Sequence, residues 1–240
     1  MSIKKILFSA TANRQNVATV KHGIINCLLA ACFIHVNAQQ DTMLINTLPA
    51  AGKFINHRPV GKGWVNLLAE SDNWNAETKY WQWNNGTLHG EANGENVHHY
   101  AWTKRQYTDF ELNVMIMMTG SAEANSGVCI RLHPTNFDDV PGYQVDMGKG
   151  YWGSLWEEHR AGMVQKYPDS LAFRLVKAND WNHYYIIAKG HHIQAWLNGV
   201  KTIDIVHEAG FSEGNIGFQL CHEHRHTIVD VQSLYIREIK

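Results

Sequence analysis

From residue 63 to the C-terminus the chain reads mainly in twos. Phe110, Leu112, Val114, Ile116 and Met118 alternate with Glu111, Asn113, Met115 and Met117. Such a period puts one set of side chains on each face of a strand. The second set is only partly polar, as in a sandwich. In GVCIRLH at 127–133, Val128, Ile130 and Leu132 fall on one face, and Cys129, Arg131 and His133 on the other. YYIIAKG, HHIQAWLNG, VKTIDIV, NIGFQLCH and TIVDVQSLYIREI continue the pattern. Asn85-Gly86 and Asn198-Gly199 stand between such runs, and Asn-Gly is the favoured pair of a type I′ hairpin turn. No segment with a helical period is longer than a turn or two. There is no internal repeat and no low-complexity linker. Many short strands joined by Gly and Asn turns predict an all-β, antiparallel sandwich.

A sandwich of this size, closed by its own C-terminal strand, resembles the concanavalin A-like lectin/glucanase jelly roll. The resemblance implies two antiparallel sheets, one of them concave and able to hold sugars. The sandwich is expected over residues 63–240. Residues 39–62 have little periodicity and read as an extended lead-in with Pro49 and Pro59. Ahead of them, Lys4, Lys5, Arg14 and Lys21 precede an apolar run from Ile24 to Val36, too short to span a bilayer. Val36-Asn37-Ala38 follows as a small-residue cleavage site. Residues 1–38 are therefore expected to be a secretory signal, and the mature protein periplasmic or secreted. Leu29-Ala30-Ala31-Cys32 gives the alternative of a lipoprotein anchored at Cys32. Without the signal only Cys129 and Cys221 remain. Export permits a disulfide between them; two buried free thiols are the other reading.

Composition adds two biases. The chain has 240 residues, 45% of them hydrophobic, and a net charge of −1. That supports a sizeable core and gives no ground for general affinity to nucleic acid or an anionic membrane. Nine Trp and nine Tyr suit strands, and also surfaces that stack on sugar rings; fifteen His leave metal binding and proton transfer open.

The candidate chemistry gathers in GYQVDMGKGYWGSLWEEHR, residues 142–160. Gln144 and Asp146 are two apart and share a strand face. Glu157, Glu158, His159 and Arg160 follow the aromatic stretch YWGSLW. A carboxylate near Arg stays ionised, whereas one against Trp is driven towards neutrality. His159 is a candidate base near neutral pH. Arg131, opposite a hydrophobic strand face, must find solvent, a carboxylate or a ligand. His222, His224 and His226 would point one way on a strand, an arrangement fit for a divalent metal. Each also has a plain reading as a salt bridge, a solvated turn or a surface residue. The E-x-D-x-x-E strand of retaining glucanases is absent, as are a nucleophile elbow and a P-loop.

Over about residues 61–240 the chain resembles the 3-keto-disaccharide hydrolase domain family. The resemblance runs through GWVNLL at 63, YTDFEL at 107, NSGVCIRLH at 125, the 142–160 segment, DWNHYYIIAKGHHIQAWLNG at 180 and the closing IGFQLCHEH and VQSLYIREI. It implies an exported enzyme acting on glycosides whose C3 hydroxyl has been oxidised to a ketone. The ketone acidifies the C2 hydrogen, a base removes it, the aglycone leaves C1 by β-elimination, and water adds back. Such chemistry needs a base, a positive group or metal for the enediolate, and an acid for the leaving oxygen. Asp146, Glu158, His159, Arg131 and Arg160 supply those types. Trp152 and Trp156 would form a stacking wall, and Gln144, Gln219 and His222 would contact the substrate. Family members commonly end one strand with Gln-Leu-His; here the order is Gln219-Leu220-Cys221-His222, and the extra residue is a candidate bulge. The alternative function is a non-catalytic carbohydrate-binding module of the same fold.

Overall fold

The structure, a computed structural model, describes residues 54–55, 58–221 and 226–240, all within the unit 37–240. The expected signal segment with Cys32, most of the lead-in, and His222 and His224 lie outside the described residues. In chain order the strands begin with β1 (Phe54–Ile55), β2 (Arg58–Pro59), β3 (Val65–Asn66), β4 (Trp74–Ala76), β5 (Trp81–Asn84), β6 (Thr87–Asn93), β7 (His99–Tyr107) and β8 (Phe110–Gly120). They continue with β9 (Asn125–Leu132), β10 (Gly142–Gly148), β11 (Leu155–Glu158), β12 (Gly162–Gln165), β13 (Asn182–Lys189), β14 (His192–Leu197), β15 (Val200–Val206), β16 (Gly214–Leu220) and β17 (His226–Glu238). A short helix, α1 (Asp169–Leu175), joins β12 to β13.

Both expected hairpins form. Asn85 and Gly86 turn β5 into β6 with φ of 51° and 79°, and Asn198 and Gly199 turn β14 into β15 with 48° and 90°. A type I′ turn requires positive φ at both central residues, which Asn and Gly tolerate best. Within the expected lead-in, β1 and β2 pair antiparallel.

Two antiparallel sheets make the body of the molecule. One runs β12-β11-β10-β9-β16-β7-β4, and the other β15-β14-β13-β8-β17-β6-β5 with β3 added to β17. Their inner faces share one core. Val128, Ile130, Tyr143, Val145, Leu155 and Phe218 come from the first sheet, and Leu112, Val114, Ile116, Tyr184, Ile186 and Val231 from the second. Each is at most 1% exposed, and apolar burial of this kind is the main force holding the sheets together. Cys129 and Cys221 are both buried thiols and not a disulfide, so the thiol reading holds.

The alternation in β9 breaks at one residue. Arg131 has a φ of 53°. Against β16, Leu132 faces Asn215 while Cys129 faces Gly217, so two residues of β9 oppose one of β16. This bulge reverses the facing that follows it. Leu132 packs with Cys129, Tyr100, Trp102 and Val140 on the outer side, not with Val128 and Ile130 in the core.

Candidate functional site

The outer face of the seven-stranded sheet carries the polar groups. Gln144 lies opposite Cys129 on one side and Trp156 on the other, while Asp146 lies opposite Gly127. Across β16, Gln219 lies opposite Tyr100. Gly127 is bare for a reason. A Cβ there would stand 2.2 Å from Cγ of Gln144, so the glutamine side chain lies across the space a larger residue would fill.

Asp146 is 4% exposed. Its Oδ1 accepts from Nδ2 of Asn125 at 3.1 Å and from Nε2 of Gln144 at 3.4 Å. Burial pushes its carboxyl up to about 8, against the opposing effect of those two amide donors, and the nearby Glu158 pushes the same way. At neutral pH Asp146 is thus a protonated acid beside a second carboxyl group. Gln219 contacts that second carboxyl group, Glu158. Its Nε2 donates to the Tyr100 hydroxyl oxygen at 2.5 Å and lies 3.5 Å from Oε1 of Glu158. Burial holds the Tyr100 hydroxyl well above its ordinary value, so the phenol stays protonated. Trp156 and Glu158 are half-buried on the same strand face, and the Tyr151 ring stands edge-on to Trp156 at 6.4 Å.

Asp146, Gln144, Glu158, Gln219 and Trp156 lie on this one outer face. Arg131 does not join them. Its guanidinium donates to the carbonyls of Phe211 at 3.0 Å and Thr108 at 3.4 Å, because the bulge swings it away from the outer face. Arg160 lies 3.4 Å from Glu157 and over the Phe211 ring at 4.5 Å. Glu157 and Glu158 are adjacent and so point to opposite faces; Glu157 lies opposite Tyr143 and is 1% exposed. A second ionic group thus forms around Tyr143, whose hydroxyl is 2.8 Å from Nδ1 of His207. His159 is exposed at the turn after β11, 3.5 Å from Asp139. Trp152 sits in the turn between β10 and β11 and packs against the core rather than beside Gln144. His226 belongs to the other sheet and pairs with Glu91 at 2.9 Å. Strand β16 ends at Leu220, and Cys221 follows outside it. The described residues contain no group of three or more His, Cys, Asp or Glu placed to hold a metal.

Tyr100 and Asn125 complete the constellation, and neither was singled out from the sequence. Tyr100 belongs to the alternation Tyr100, Trp102 in HHYAWTKRQY, and Asn125 stands two residues before Gly127. Their spacing placed them on strand faces. Nothing in the spacing said which strands would be neighbours.

The fold and this polar face define a concanavalin A-like jelly roll with a candidate site on one sheet. The chain belongs to the 3-keto-alpha-glucoside-1,2-lyase-like domain family, whose model matches residues 63–240. Three solved structures show the same fold. A candidate glycosyl hydrolase from Parabacteroides distasonis is 20% identical, with a TM-score of 0.53, over 73% of this chain and 99% of that one. The carbohydrate-binding module CBM66 from Bacillus subtilis is 17% identical, with a TM-score of 0.54, over 69% and 96%. A Bacillus subtilis protein of unknown function with a galectin-like fold is 10% identical, with a TM-score of 0.53, over 73% and 94%. No curated protein matches the chain significantly.

Proposed function

We propose that the chain is a carbohydrate-active enzyme that cleaves 3-keto-glycosides by elimination and rehydration at the outer face of the seven-stranded sheet. The observation that carries the reading is Asp146. It is a buried carboxyl kept neutral on the same face as Glu158, Gln144, Gln219 and the Trp156 ring. Family membership supports the substrate class.

In this reading the Glu158 carboxylate takes the C2 proton, and the C2–H electron pair passes into the enediolate of the C3 ketone. As the pair returns, the C1=C2 bond forms and the C1–O bond breaks. Asp146 gives its proton to the leaving oxygen. Asp146, now ionised, then removes a proton from water as its oxygen adds to C1, and Glu158 returns its proton to C2. The amides of Gln144 and Gln219, which already donate to Asp146 and Glu158, hold the two carboxyl groups in place, and the Trp156 ring meets the apolar face of the pyranose. A divalent cation, if used, would serve as a Lewis acid for the enediolate; His222 and His224 are the imidazoles that follow β16 in the chain. The protein is proposed to be exported, with residues 1–38 removed.

The test is turnover of an aryl 3-keto-glucoside by Asp146→Asn, Glu158→Gln and, as a control, Arg131→Met. The first two are expected to lose ~10²-fold or more in rate. Arg131→Met should lower the melting temperature, because it removes a buried guanidinium that ties the Phe211 and Thr108 carbonyls together, and should leave the rate of the folded protein near wild type. Wild-type rates in both carboxylate variants would remove the proposed site. A non-catalytic carbohydrate-binding role is the second reading, favoured by the likeness to CBM66. Sugar binding by a wild-type protein that turns over no 3-keto-glycoside would decide for it.

A further inference from the structure

A cleft of about 450 Å³ lies between the two edge strands β4 and β5, one from each sheet. Its walls include Trp74, Trp81 and Trp83, with Asp72, Gln82 and Lys104 around them. None of these residues belongs to the Asp146 constellation. The Trp74 and Trp83 rings are 6.0 Å apart and tilted by 59°. The Trp74 indole N–H donates to the Leu67 carbonyl at 2.8 Å. The N–H groups of Trp81 and Trp83 are buried with no acceptor. A buried indole N–H normally has one, and leaving it unanswered works against folding.

The cleft does not end at the edge. Lys104 also lines a groove of about 640 Å³ on the outer face, together with Asn75, Trp102, Gln106 and Asn215. Along β4, Asn75 lines the groove, while Trp74 and Ala76 line the cleft. The two hollows therefore flank one edge strand, and Lys104 touches both. The packed cluster of Tyr100, Trp102, Cys129, Leu132 and Val140 marks the border with the Asp146 site. Tyr100 bonds Gln219 on one side of it, and Trp102 lines the groove on the other.

We propose that the cleft is a second, non-catalytic carbohydrate-binding site that holds a stretch of unmodified glycan chain. The chemistry of the walls selects that class. The half-buried Trp83 ring, backed by the buried Trp74 and Trp81, offers indole surface to the C–H face of a pyranose. An amide, an ammonium and a carboxylate together can donate to and accept from vicinal hydroxyls, which a purely apolar ligand would leave desolvated. Shared walls at Lys104 allow a chain to continue from the cleft into the groove. The proposal stands apart from the 3-keto chemistry, since it needs no oxidised sugar.

The test is calorimetric titration of the full chain with unoxidised linear hexaoses of glucose, mannose and xylose. Tryptophan fluorescence is followed in parallel. At least one hexaose is expected to bind and to perturb the emission. The double variant Gln82→Ala/Lys104→Ala changes only exposed side chains. It should weaken that binding about tenfold or more and leave turnover of an aryl 3-keto-glucoside unchanged. Asp146→Asn should leave hexaose binding intact. Failure of every hexaose to bind at millimolar concentration would overturn the proposal. So would binding that survives the double variant and disappears in Asp146→Asn. A protein that binds hexaoses through Gln82 and Lys104 but turns over no 3-keto-glycoside would instead refute the catalytic reading and keep this one.

Discussion

At the scale of single residues, Asp146 shows how surroundings decide a role. A free aspartate gives up its proton near pH 3.8; burial raises that value to about 8 in Asp146. Between those values the folded protein keeps a proton that the unfolded chain has released. Keeping the group neutral therefore favours the folded state fully below about pH 4, and the advantage is lost as pH rises towards 8. Asp146→Asn has nearly the same shape and no charge to release. Wild type is expected to lose melting temperature relative to this variant steadily from pH 4 to pH 8, with the gap levelling beyond. A pH series of thermal melts reads this directly. A gap that stays constant across the window would mean that Asp146 is not held protonated in the folded protein. In the proposed reaction, where Asp146 is the acid, turnover is expected to fall above about pH 8 as the acid form disappears.

At the scale of strands, the site was legible where the strands are regular. Gln144 and Asp146 share a face because β10 alternates without interruption. Trp156 and Glu158 join them by the same rule on β11. The rule failed at Arg131, because one residue with positive φ shifts the facing and no local pattern announces it. His226 itself opens β17 in the other sheet and pairs with Glu91. Trp152 was misplaced for a different reason: the aromatic stretch before β11 is a turn. The floor of the site belongs to this scale too. Gly127→Ala would place a methyl group 2.2 Å from Cγ of Gln144, and the glutamine must move off its perch. Since misplacing a positioning group by about 1 Å can cost ~10²-fold in rate, Gly127→Ala is expected to cut turnover by ~10–10²-fold. Its melting temperature should change far less than its rate. Kinetics and a melt on the same preparation separate the two. An unchanged rate would show that the position of Gln144 does not matter.

At the scale of the whole molecule, turns and periodicity announced a sandwich but not the order of its strands. The sheet orders are far from sequential, and the clearest case is β17, which lies between β8 and β6 near the middle of its sheet. Its register runs from Thr227 opposite Gly120 to Glu238 opposite Phe110. The last residues of the chain therefore close the sandwich. Leu234 and Ile236 are at most 2% exposed. Arg237 donates to both carboxylate oxygens of Glu111, at 2.8 and 2.7 Å. Tyr235 and Ile236 also pair with β3. A chain ending at Ser233 loses all of this. Removing a buried Leu or Ile side chain alone costs about 2–5 kcal/mol, and two of them approach the ~5–15 kcal/mol by which domains are stable. Opening the middle of a sheet also exposes unpaired edges of β8 and β3. The chain ending at Ser233 is expected to show no cooperative thermal transition and to elute as aggregate. A chain ending at Glu238 keeps every paired residue of β17 and should melt close to wild type. Circular dichroism melts and size-exclusion profiles of the two truncations make the comparison. A cooperative, near-native melt from the shorter chain would mean that the C-terminal strand is not the closure of the fold.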